Sequence, residues 1–321
     1  MYVTPFRDAS YKRELLRTIE EIYGIAGRQL LPASSGYYGE TWKLCTAEES
    51  FFLKLDYLLY HQAIFERGLS VVAYLCSQGL DFVGEVVPTK EGKLSASFHG
   101  AILGVFRWLE GENVETDATK APEYQLLCQV YQHTRPGLPL PSAEFSSQAA
   151  LTFFENWQAL EKDPVYPGAG EILALLEENR SLLEQRRERL DAFARRCGKE
   201  PGDCYITHGD AGGNFFVGKG KDAGKNFLVD WDEAMYAPLE RDAWVMGCYP
   251  WARELFNNTL RRNNIPYELR LDRLGFYSYH MFFFYLNEFL SCLPFWNLYQ
   301  RIEDYFENGW ILERLQFADT L

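Results

Sequence analysis

Residues 207–214 combine side chains that could act on a hydroxyl group and a metal ion together. The segment reads THGDAGGN and lies between two strand-like stretches. An aspartate in a tight loop after a strand, with an asparagine shortly beyond it, can accept a substrate hydroxyl proton and hold a magnesium ion. Asp210 and Asn214 are the candidates for these two tasks. Taken alone, the segment also fits an ordinary turn, because Asp, Asn and Gly are common in turns.

A second acidic loop follows one predicted hairpin later, at residues 229–233, and reads VDWDE. Magnesium prefers carboxylate and amide oxygens as ligands. Asp230 and Asn214 would therefore form a metal site at the two ends of the hairpin, with Asp232 and Glu233 as further candidates. Two such loops at this spacing, followed by helices, favour a functional site over two unrelated turns.

The N-terminal part of the chain contains a lysine placed to bind a nucleotide. Lys54 is the single lysine in the strand-like apolar run FFLKL at residues 51–55. A lysine on such a strand can hold the α- and β-phosphates, and a glutamate on the next helix can orient it. Glu66 lies in the next predicted helix. Each residue alone could be a surface charge, but their order along the chain agrees with the two loops.

Two glycine-containing segments resemble phosphate-binding loops. Gly36 and Gly39, in SSGYYG, are candidates for a turn that covers the nucleotide phosphates, although the GxGxxG pattern is absent and a plain turn would look the same. Residues 213–219 satisfy GxxxxGK, but Gly220 follows where a P-loop needs Ser or Thr. The NFFV within them reads as a strand, whereas a P-loop leads directly into a helix. This second segment is not a P-loop.

The motif HGD…N, followed by VDWDEAMYAPLERD, resembles the aminoglycoside phosphotransferase and choline kinase-like family, and the second segment is most similar to its spectinomycin phosphotransferase branch. The resemblance implies a protein-kinase-like fold in which an N-lobe and a C-lobe hold ATP or GTP between them. It implies that Asp210 is the catalytic base and that Asn214 and Asp230 bind Mg²⁺, with Asp232 as a neighbour and His208 as a structural support. The chain departs from the kinase pattern because only three residues separate Asp210 from Asn214, one fewer than usual.

The elements that must position these residues divide the chain near residue 109. The earlier part is predicted as a compact α+β unit, with strands at 39–44, 51–55, 84–87 and 101–108 and a helix at 62–76. The later part is predicted as helices at 121–133, 147–160, 171–197 and after Ala237, with a β interlude at 204–207, 214–217 and 227–230. We therefore predict an α+β, protein-kinase-like bilobal fold with a small β-rich N-lobe at 1–108 and a larger, mainly helical C-lobe at 109–321.

The composition limits the partners of the chain. Its 321 residues include 32 basic and 45 acidic ones, which gives a formal charge of −13. This balance argues against a nucleic-acid partner, because phosphate contacts need a basic surface. It favours a cationic substrate, and it fits equally well a surface charge that keeps the protein in solution. Seven scattered cysteines without a CxxC pair suggest reduced thiols in the cytoplasm.

The sequence predicts no membrane segment and no membrane partner. The N-terminus lacks the apolar stretch of a secretory signal. The most apolar stretch, residues 276–296, is interrupted by His280, Asn287 and Glu288 and contains many tyrosines, which favours a buried aromatic helix over a membrane span. The aromatic run within it, residues 277–285, is predicted to be helix core; as an alternative, some of its rings would line a pocket for the acceptor molecule.

The predicted function is the magnesium-dependent transfer of the γ-phosphoryl group of ATP or GTP to a hydroxyl of a small, cationic molecule. Four acids are candidates to contact this acceptor: Glu233, Asp272, Glu288 and Asp304. His61, His99 and His280 have no partners at metal-ligand spacing and receive no role. Two alternatives stay open, namely a kinase of choline, homoserine or a sugar alcohol in primary metabolism, and a kinase-like binding module without activity, which the shortened loop before Asn214 favours.

Overall fold

The structure of the protein is a computed structural model that describes residues 7–33, 39–164, 168–291, 298–307 and 309–321. Contacts between residues divide the chain into two compact units. The first unit joins Met1–Pro141 to Tyr205–Tyr236, and the second joins Ser142–Cys204 to Ala237–Leu321. The lysine strand and both acidic loops therefore belong to the first unit, although the loops lie far beyond the boundary near residue 109 that the sequence predicts.

The first unit contains an antiparallel five-stranded sheet in the order β1-β2-β3-β5-β4. Its strands are β1 (Gln29–Pro32), β2 (Glu40–Cys45), β3 (Ser50–Asp56), β4 (Ala96–Phe98) and β5 (Ala101–Arg107). Helix α1 (Ala9–Tyr23) precedes the sheet, and helix α2 (Leu59–Ser77) follows β3. The structure thus confirms the predicted strands at β2, β3 and β5 and the predicted helix at α2.

Two details of this sheet differ from the prediction. The strand predicted at 84–87 is only an isolated bridge between Val86 and Phe106, and β1 and β4 were not predicted. Both missed strands are short, and β1 buries only Leu30, so it lacks the apolar alternation that identifies a strand in a sequence.

The alternation of side chains along β3 decides which residues reach the site. Phe51, Leu53 and Leu55 point to the face of the sheet whose core includes residues of α1. Successive residues of a strand point to opposite faces, so Lys54 and Asp56 share the other face. That face is covered by α2, because Phe65 and Leu69 of this helix approach Gly104 of β5.

The remainder of the first unit positions the acidic loops. It contains β6 (Gly111–Asn113), α3 (Lys120–Gln132), β7 (Tyr205–Thr207), β8 (Phe215–Gly218), β9 (Asn226–Leu228) and β10 (Met235–Ala237). Strands β6, β8 and β9 form a three-stranded sheet, and β7 pairs with β10. The three strands of the predicted β interlude are confirmed, whereas β6 and β10 were not predicted. The Asp210 loop follows β7, and the Asp230 loop follows β9.

The second unit is helical, which confirms the α+β class predicted for the chain. Its helices are α4 (Gln148–Lys162), α5 (Ala169–Glu178), α6 (Arg180–Cys197), α7 (Glu240–Ala243), α8 (Pro250–Arg262), α9 (Leu271–Ser291), α10 (Leu298–Glu307) and α11 (Ile311–Asp319). The aromatic helix α9 packs against α4, α6 and α11 and buries Phe282 and Phe283 completely. None of the helices in the described part of the chain has the length and apolar character needed to cross a membrane.

The prediction of one long helix in the second unit was wrong. Residues 171–197 form two helices, α5 and α6, with a break at Asn179. The side-chain amide of Asn179 donates a hydrogen bond to the backbone oxygen of Leu175 at 2.9 Å. Asparagine competes with the helical backbone for hydrogen bonds in this way, so it favours helix ends.

Candidate active site

Lys54 of β3 connects the sheet to the second acidic loop. Its ammonium group donates hydrogen bonds to Asp230 Oδ1 at 2.8 Å and to Asp232 Oδ2 at 2.6 Å. Burial alone would lower the pKa of Lys54, but the charges of the two carboxylates outweigh it and raise the pKa above the ordinary lysine value. Lys54 is therefore a fixed cation between two carboxylates.

The Asp230 loop makes a tight turn against helix α2. Asp230 has a φ of +64°, a left-handed conformation that non-glycine residues rarely adopt and that often marks a functional site. Gly68 of α2 lies where the loop crosses the helix, because a Cβ atom there would lie 3.0 Å from Asp232 Oδ1 and 3.1 Å from Trp231 O. Trp231 is buried and donates its indole N–H to Leu228 O at 3.0 Å, which fixes the loop after β9.

A buried histidine joins the two acidic loops. The backbone N–H of Asp210 donates to His208 Nδ1 at 3.3 Å, so this nitrogen is the acceptor and Nε2 carries the proton. Nε2 donates in turn to Val229 O at 3.0 Å. The His208 ring also packs at 4.4 Å from the Trp231 ring. One imidazole thus fixes the Asp210 loop to the residue that precedes Asp230.

The shortened segment after Asp210 closes as a 3-10 turn at Gly212–Asn214. The side-chain amide of Asn214 donates to Asp210 O at 2.9 Å and to Asp210 Oδ2 at 3.0 Å. A side chain at Gly212 would approach Glu115 Oε1 at 3.0 Å and Lys120 Nζ at 3.2 Å, so a glycine suits this position. Despite the missing residue, the turn brings the Asn214 amide to the Asp210 carboxylate.

The two aspartates experience opposite electrostatic environments. Desolvation, followed by the negative charges of Asp230 and Glu233, raises the pKa of Asp210 above its usual range. Desolvation also acts on Asp230, but the Lys54 cation outweighs it, and the pKa of Asp230 is lowered. Both residues keep an exposed surface, so both can meet a ligand from solvent.

Asn214 and Asp230 are the predicted magnesium ligands. Their loops are adjacent, because Val229 N donates to Asn214 O at 3.1 Å. The Asn214 amide nitrogen donates to Asp210, so the amide oxygen is the atom that would bind a cation. In the described residues no group of three or more His, Cys, Asp or Glu side chains is arranged to hold a metal. Magnesium bound to a nucleotide needs only one or two protein carboxylates besides the phosphates and water, and an amide oxygen can add to them.

Of the four predicted nucleotide-binding residues, the structure describes Lys54, Glu66 and Gly39. Glu66 is exposed, and its Oε1 accepts a hydrogen bond from Ser95 at 3.0 Å. Glu66 is not among the residues that the structure brings to Lys54. Gly36 lies outside the described residues. Gly39 has a φ of +87°, and a side chain there would lie 2.7 Å from Leu55 O, so the glycine allows the chain to pass close to β3.

The predicted acceptor-contacting acids are distributed over both units. Glu233 lies in the first unit and acts electrostatically on Asp210. The other three belong to the second unit, where Asp272 pairs with Arg270 at 2.9 Å and Asp304 accepts from Gln300 at 2.8 Å. Burial raises the pKa of Glu288. The role of all four toward an acceptor stays a prediction.

A buried pair that was not predicted lies beside Lys54. Asp56 and His61 are almost fully buried, and His61 Nδ1 lies 2.5 Å from Asp56 Oδ2. The other ring nitrogen, Nε2, lies 4.0 Å from Asp232 Oδ2. The available signal was the strand alternation, which places Asp56 on the same face as Lys54. Metal-ligand spacing along the sequence does not identify this pair.

Comparison with known proteins places the chain among phosphotransferases. The model of the family described as "Phosphotransferase enzyme family" matches residues 29–274, which is most of the chain. A search of curated proteins gave no match.

Several solved structures share the fold at low sequence identity. The structure of spectinomycin phosphotransferase in complex with ADP and spectinomycin has a TM-score of 0.73 and 17% identity, over 99% of this chain and 100% of that one. The microcompartment-associated aminopropanol kinase has a TM-score of 0.65 and 14% identity, over 96% of both chains. Choline kinase from Streptococcus pneumoniae has a TM-score of 0.57 and 11% identity, over 96% of this chain and 97% of that one. The predicted protein-kinase-like fold is confirmed.

Proposed function

The chain belongs to the phosphotransferase enzyme family, and from this premise we propose that it is a magnesium-dependent kinase of a small, cationic alcohol. ATP or GTP would be the phosphoryl donor. The observation that carries this proposal is the meeting of Lys54, Asp230, Asn214 and Asp210 within one unit. Lys54 and Asp230 are in direct contact at 2.8 Å, and Asn214 and Asp210 at 3.0 Å.

In the proposed reaction each residue has a separate task. Lys54 binds the α- and β-phosphates, and Asp230 with Asn214 holds Mg²⁺, which neutralises charge on the phosphates when bound. Asp210 orients the acceptor hydroxyl and takes its proton on a carboxylate oxygen. The acceptor oxygen forms a bond to the γ-phosphorus while the bond from this phosphorus to the β–γ bridging oxygen breaks, and the nucleoside diphosphate leaves. Positioning and electrostatics supply most of the rate in phosphoryl transfer.

The raised pKa of Asp210 supports its assignment as the base. A carboxylate with a pKa nearer neutrality accepts a proton more readily than an ordinary aspartate. The lowered pKa of Asp230 suits a metal ligand, because a ligand must be ionised to bind Mg²⁺. Two carboxylates whose environments shift their pKa values apart are typical of an acid–base site.

A cationic acceptor is supported by charge and by the fold neighbours. The net charge of −13 would attract a cation towards an acidic site. Two of the fold neighbours are described as an aminopropanol kinase and a choline kinase, and both compounds contain a hydroxyl and a positively charged nitrogen. A third is a phosphotransferase crystallised with spectinomycin. Whether the acceptor is an antibiotic or a metabolite stays open within this class.

A catalytically inactive binding module is the second candidate. The observation that favours it is the short spacer before Asn214, together with the engagement of Lys54 by two carboxylates. Such a module would bind nucleotide without consuming it. A kinase and an inactive binding module would therefore differ in turnover and not in nucleotide affinity.

An acceptor screen tests the proposal. ADP or GDP release would be measured with aminocyclitols, aminoglycosides, choline, ethanolamine, homoserine and neutral sugars, at low and high salt, with Asp210→Asn as the inactive control. We expect turnover with a cationic alcohol and an acceptor KM that rises with salt, since the screening length is only about 8 Å at physiological ionic strength. A neutral best acceptor with a salt-independent KM would contradict the cationic acceptor. Nucleotide binding without turnover for every acceptor would favour the inactive module.

A further inference from the structure

A buried aspartate–histidine pair lies directly behind the ion pairs of Lys54. His61 is in the first turn of α2 and is 3% exposed, and Asp56 is the last residue of β3 and is fully buried. His61 Nδ1 lies 2.5 Å from Asp56 Oδ2, and His61 Nε2 lies 4.0 Å from Asp232 Oδ2. Lys54 donates to this same oxygen of Asp232. Both nitrogens of one imidazole therefore face carboxylate oxygens.

The position of Asp56 is fixed by the junction between β3 and α2. Its Oδ1 accepts the backbone N–H of Leu58 at 2.9 Å, and its backbone oxygen accepts the Gln62 side-chain amide at 3.1 Å. Asp56 and Lys54 are two residues apart on one strand, so their side chains lie on one face. The pair is thus anchored on β3, which also carries Lys54, and on the first turn of α2.

Lys54 needs a carboxylate partner that is not also a ligand of the bound metal. If Asp230 binds Mg²⁺, as the proposed function requires, its contact with Lys54 competes with the metal. The helix glutamate that could replace it, Glu66, is exposed and bonded to Ser95. Asp232 is the remaining partner of Lys54, and its side chain is only 12% exposed. A largely buried carboxylate is costly unless other groups stabilise it.

We propose that Asp56 and His61 form a positioning pair that keeps Asp232 beside Lys54 when Asp230 turns to the metal. His61 faces the Asp232 oxygen that accepts from Lys54, and Asp56 fixes the ring. Asp232, supported in this way, takes over the orienting task that a helix glutamate performs in the kinase pattern. The inference rests on the proposed function for the role of Lys54 towards nucleotide phosphates and for that of Asp230 towards the metal. It assigns His61 no contact with substrate.

The test measures Mg–ADP binding by calorimetry in the absence of any acceptor. We expect His61→Ala to weaken binding by about 10- to 100-fold, by analogy with the loss that follows removal of an outer partner of a metal ligand. His61→Gln, which keeps a hydrogen-bond donor, should recover part of the affinity. His99→Ala is the matched control, because His99 is partly exposed and pairs with Glu14 outside the site. This control should bind as the unchanged protein does.

A second background separates positioning from a general structural role. In Lys54→Ala protein the pair has no lysine to position, so adding His61→Ala should change the affinity by less than about twofold. In turnover assays the nucleotide KM should rise while the acceptor KM stays constant. An unchanged affinity in His61→Ala, an equal loss in the Lys54→Ala background, or a loss in Glu66→Gln as large as in His61→Ala would overturn the inference. Failure of the unchanged protein to bind Mg–ADP would instead contradict the proposed function.

Discussion

The Asp210 loop and the Asp230 loop are built from the same kinds of residue but have opposite electrostatic character. Each follows a short strand, each exposes an aspartate, and one histidine, His208, contacts both. The pKa of Asp210 is raised, whereas that of Asp230 is lowered. The difference arises from Lys54, which contacts Asp230 at 2.8 Å. A single cation from a distant strand thus distinguishes a candidate base from a candidate metal ligand.

The largest effect is expected for the base. Asp210→Asn should lower kcat by about 10²–10⁴-fold, the usual cost of losing a general base, and leave nucleotide affinity nearly constant. The substitution keeps the size of the side chain and the Asn214 contact while removing the proton acceptor. The measurement is kcat together with calorimetric Mg–nucleotide binding. A variant with unchanged turnover would show that Asp210 is not the base.

Substitutions of Asp230 and Asn214 should weaken metal binding and not proton transfer. Asp230→Ala should raise the Mg²⁺ concentration that gives half-maximal activity. Removal of an outer partner of a metal ligand typically lowers metal affinity by about 10- to 100-fold, and loss of the ligand itself should have a larger effect. Asn214→Ala should act in the same direction with a smaller effect, because an amide is a neutral ligand. Magnesium titrations of nucleotide binding compare the two variants. If Asp230→Ala titrated like the unchanged protein, Asp230 would be excluded as a ligand.

The electrostatic coupling between the loops can be measured directly. The negative charge of Asp230 is the largest cause after desolvation that raises the pKa of Asp210. Asp230→Asn removes this charge, so the carboxylate of Asp210 becomes more favourable and its pKa should fall in metal-free protein. As a consequence, Asp210 stays ionised to lower pH in this variant.

Carboxyl ¹³C NMR titration of metal-free protein would follow this shift. Glu115→Gln is the control, since the charge of Glu115 raises the pKa of Asp210 less than those of Asp230 and Glu233 do, and its removal should lower this pKa less. Added Mg²⁺ should also lower the pKa of Asp210, because a nearby dication stabilises the carboxylate. A pKa that stays constant or rises in Asp230→Asn would contradict the proposed coupling of the two loops.

The smallest expected effect is on stability, and it compares how tightly the two loops pack. Gly68→Ala should lower the free energy of unfolding by about 1–3 kcal/mol, as overpacking usually does, because the new methyl group would press on Asp232 Oδ1 and Trp231 O. Gly213→Ala is the matched change in the Asp210 loop, where the nearest atom, Asp210 Oδ1, would lie at an ordinary 3.6 Å. Denaturant unfolding of both variants checks this. At a helix position with no neighbour, a change from Gly to Ala typically raises stability by about 1 kcal/mol. If Gly68→Ala stabilised the protein by this amount, the loop would not be held against α2.

Much of the fold was predictable because its signals are local. Strand alternation indicated β2, β3 and β5, and the apolar periodicity of the C-terminal part indicated a helical second unit. The missed elements, such as β1 and β4, are too short to carry a period. The break at Asn179 was missed because a helix of this amphipathic pattern can continue or end at an asparagine, and a local hydrogen bond to Leu175 decides which.

The sequence by itself determined which residues could share a task. The spacing of the motifs placed Asp210 and Asn214 in one loop, and the apolar run at 51–55 placed Lys54 in a strand. Only the tertiary structure decided the partners of Lys54, which are Asp230 and Asp232, 176 and 178 residues away, and not Glu66. The physical reason is that a local period restricts the direction of a side chain but not the loop that packs against it. At this place Gly68 lets the Asp230 loop approach α2, and His61 Nε2 lies 4.0 Å from Asp232 Oδ2.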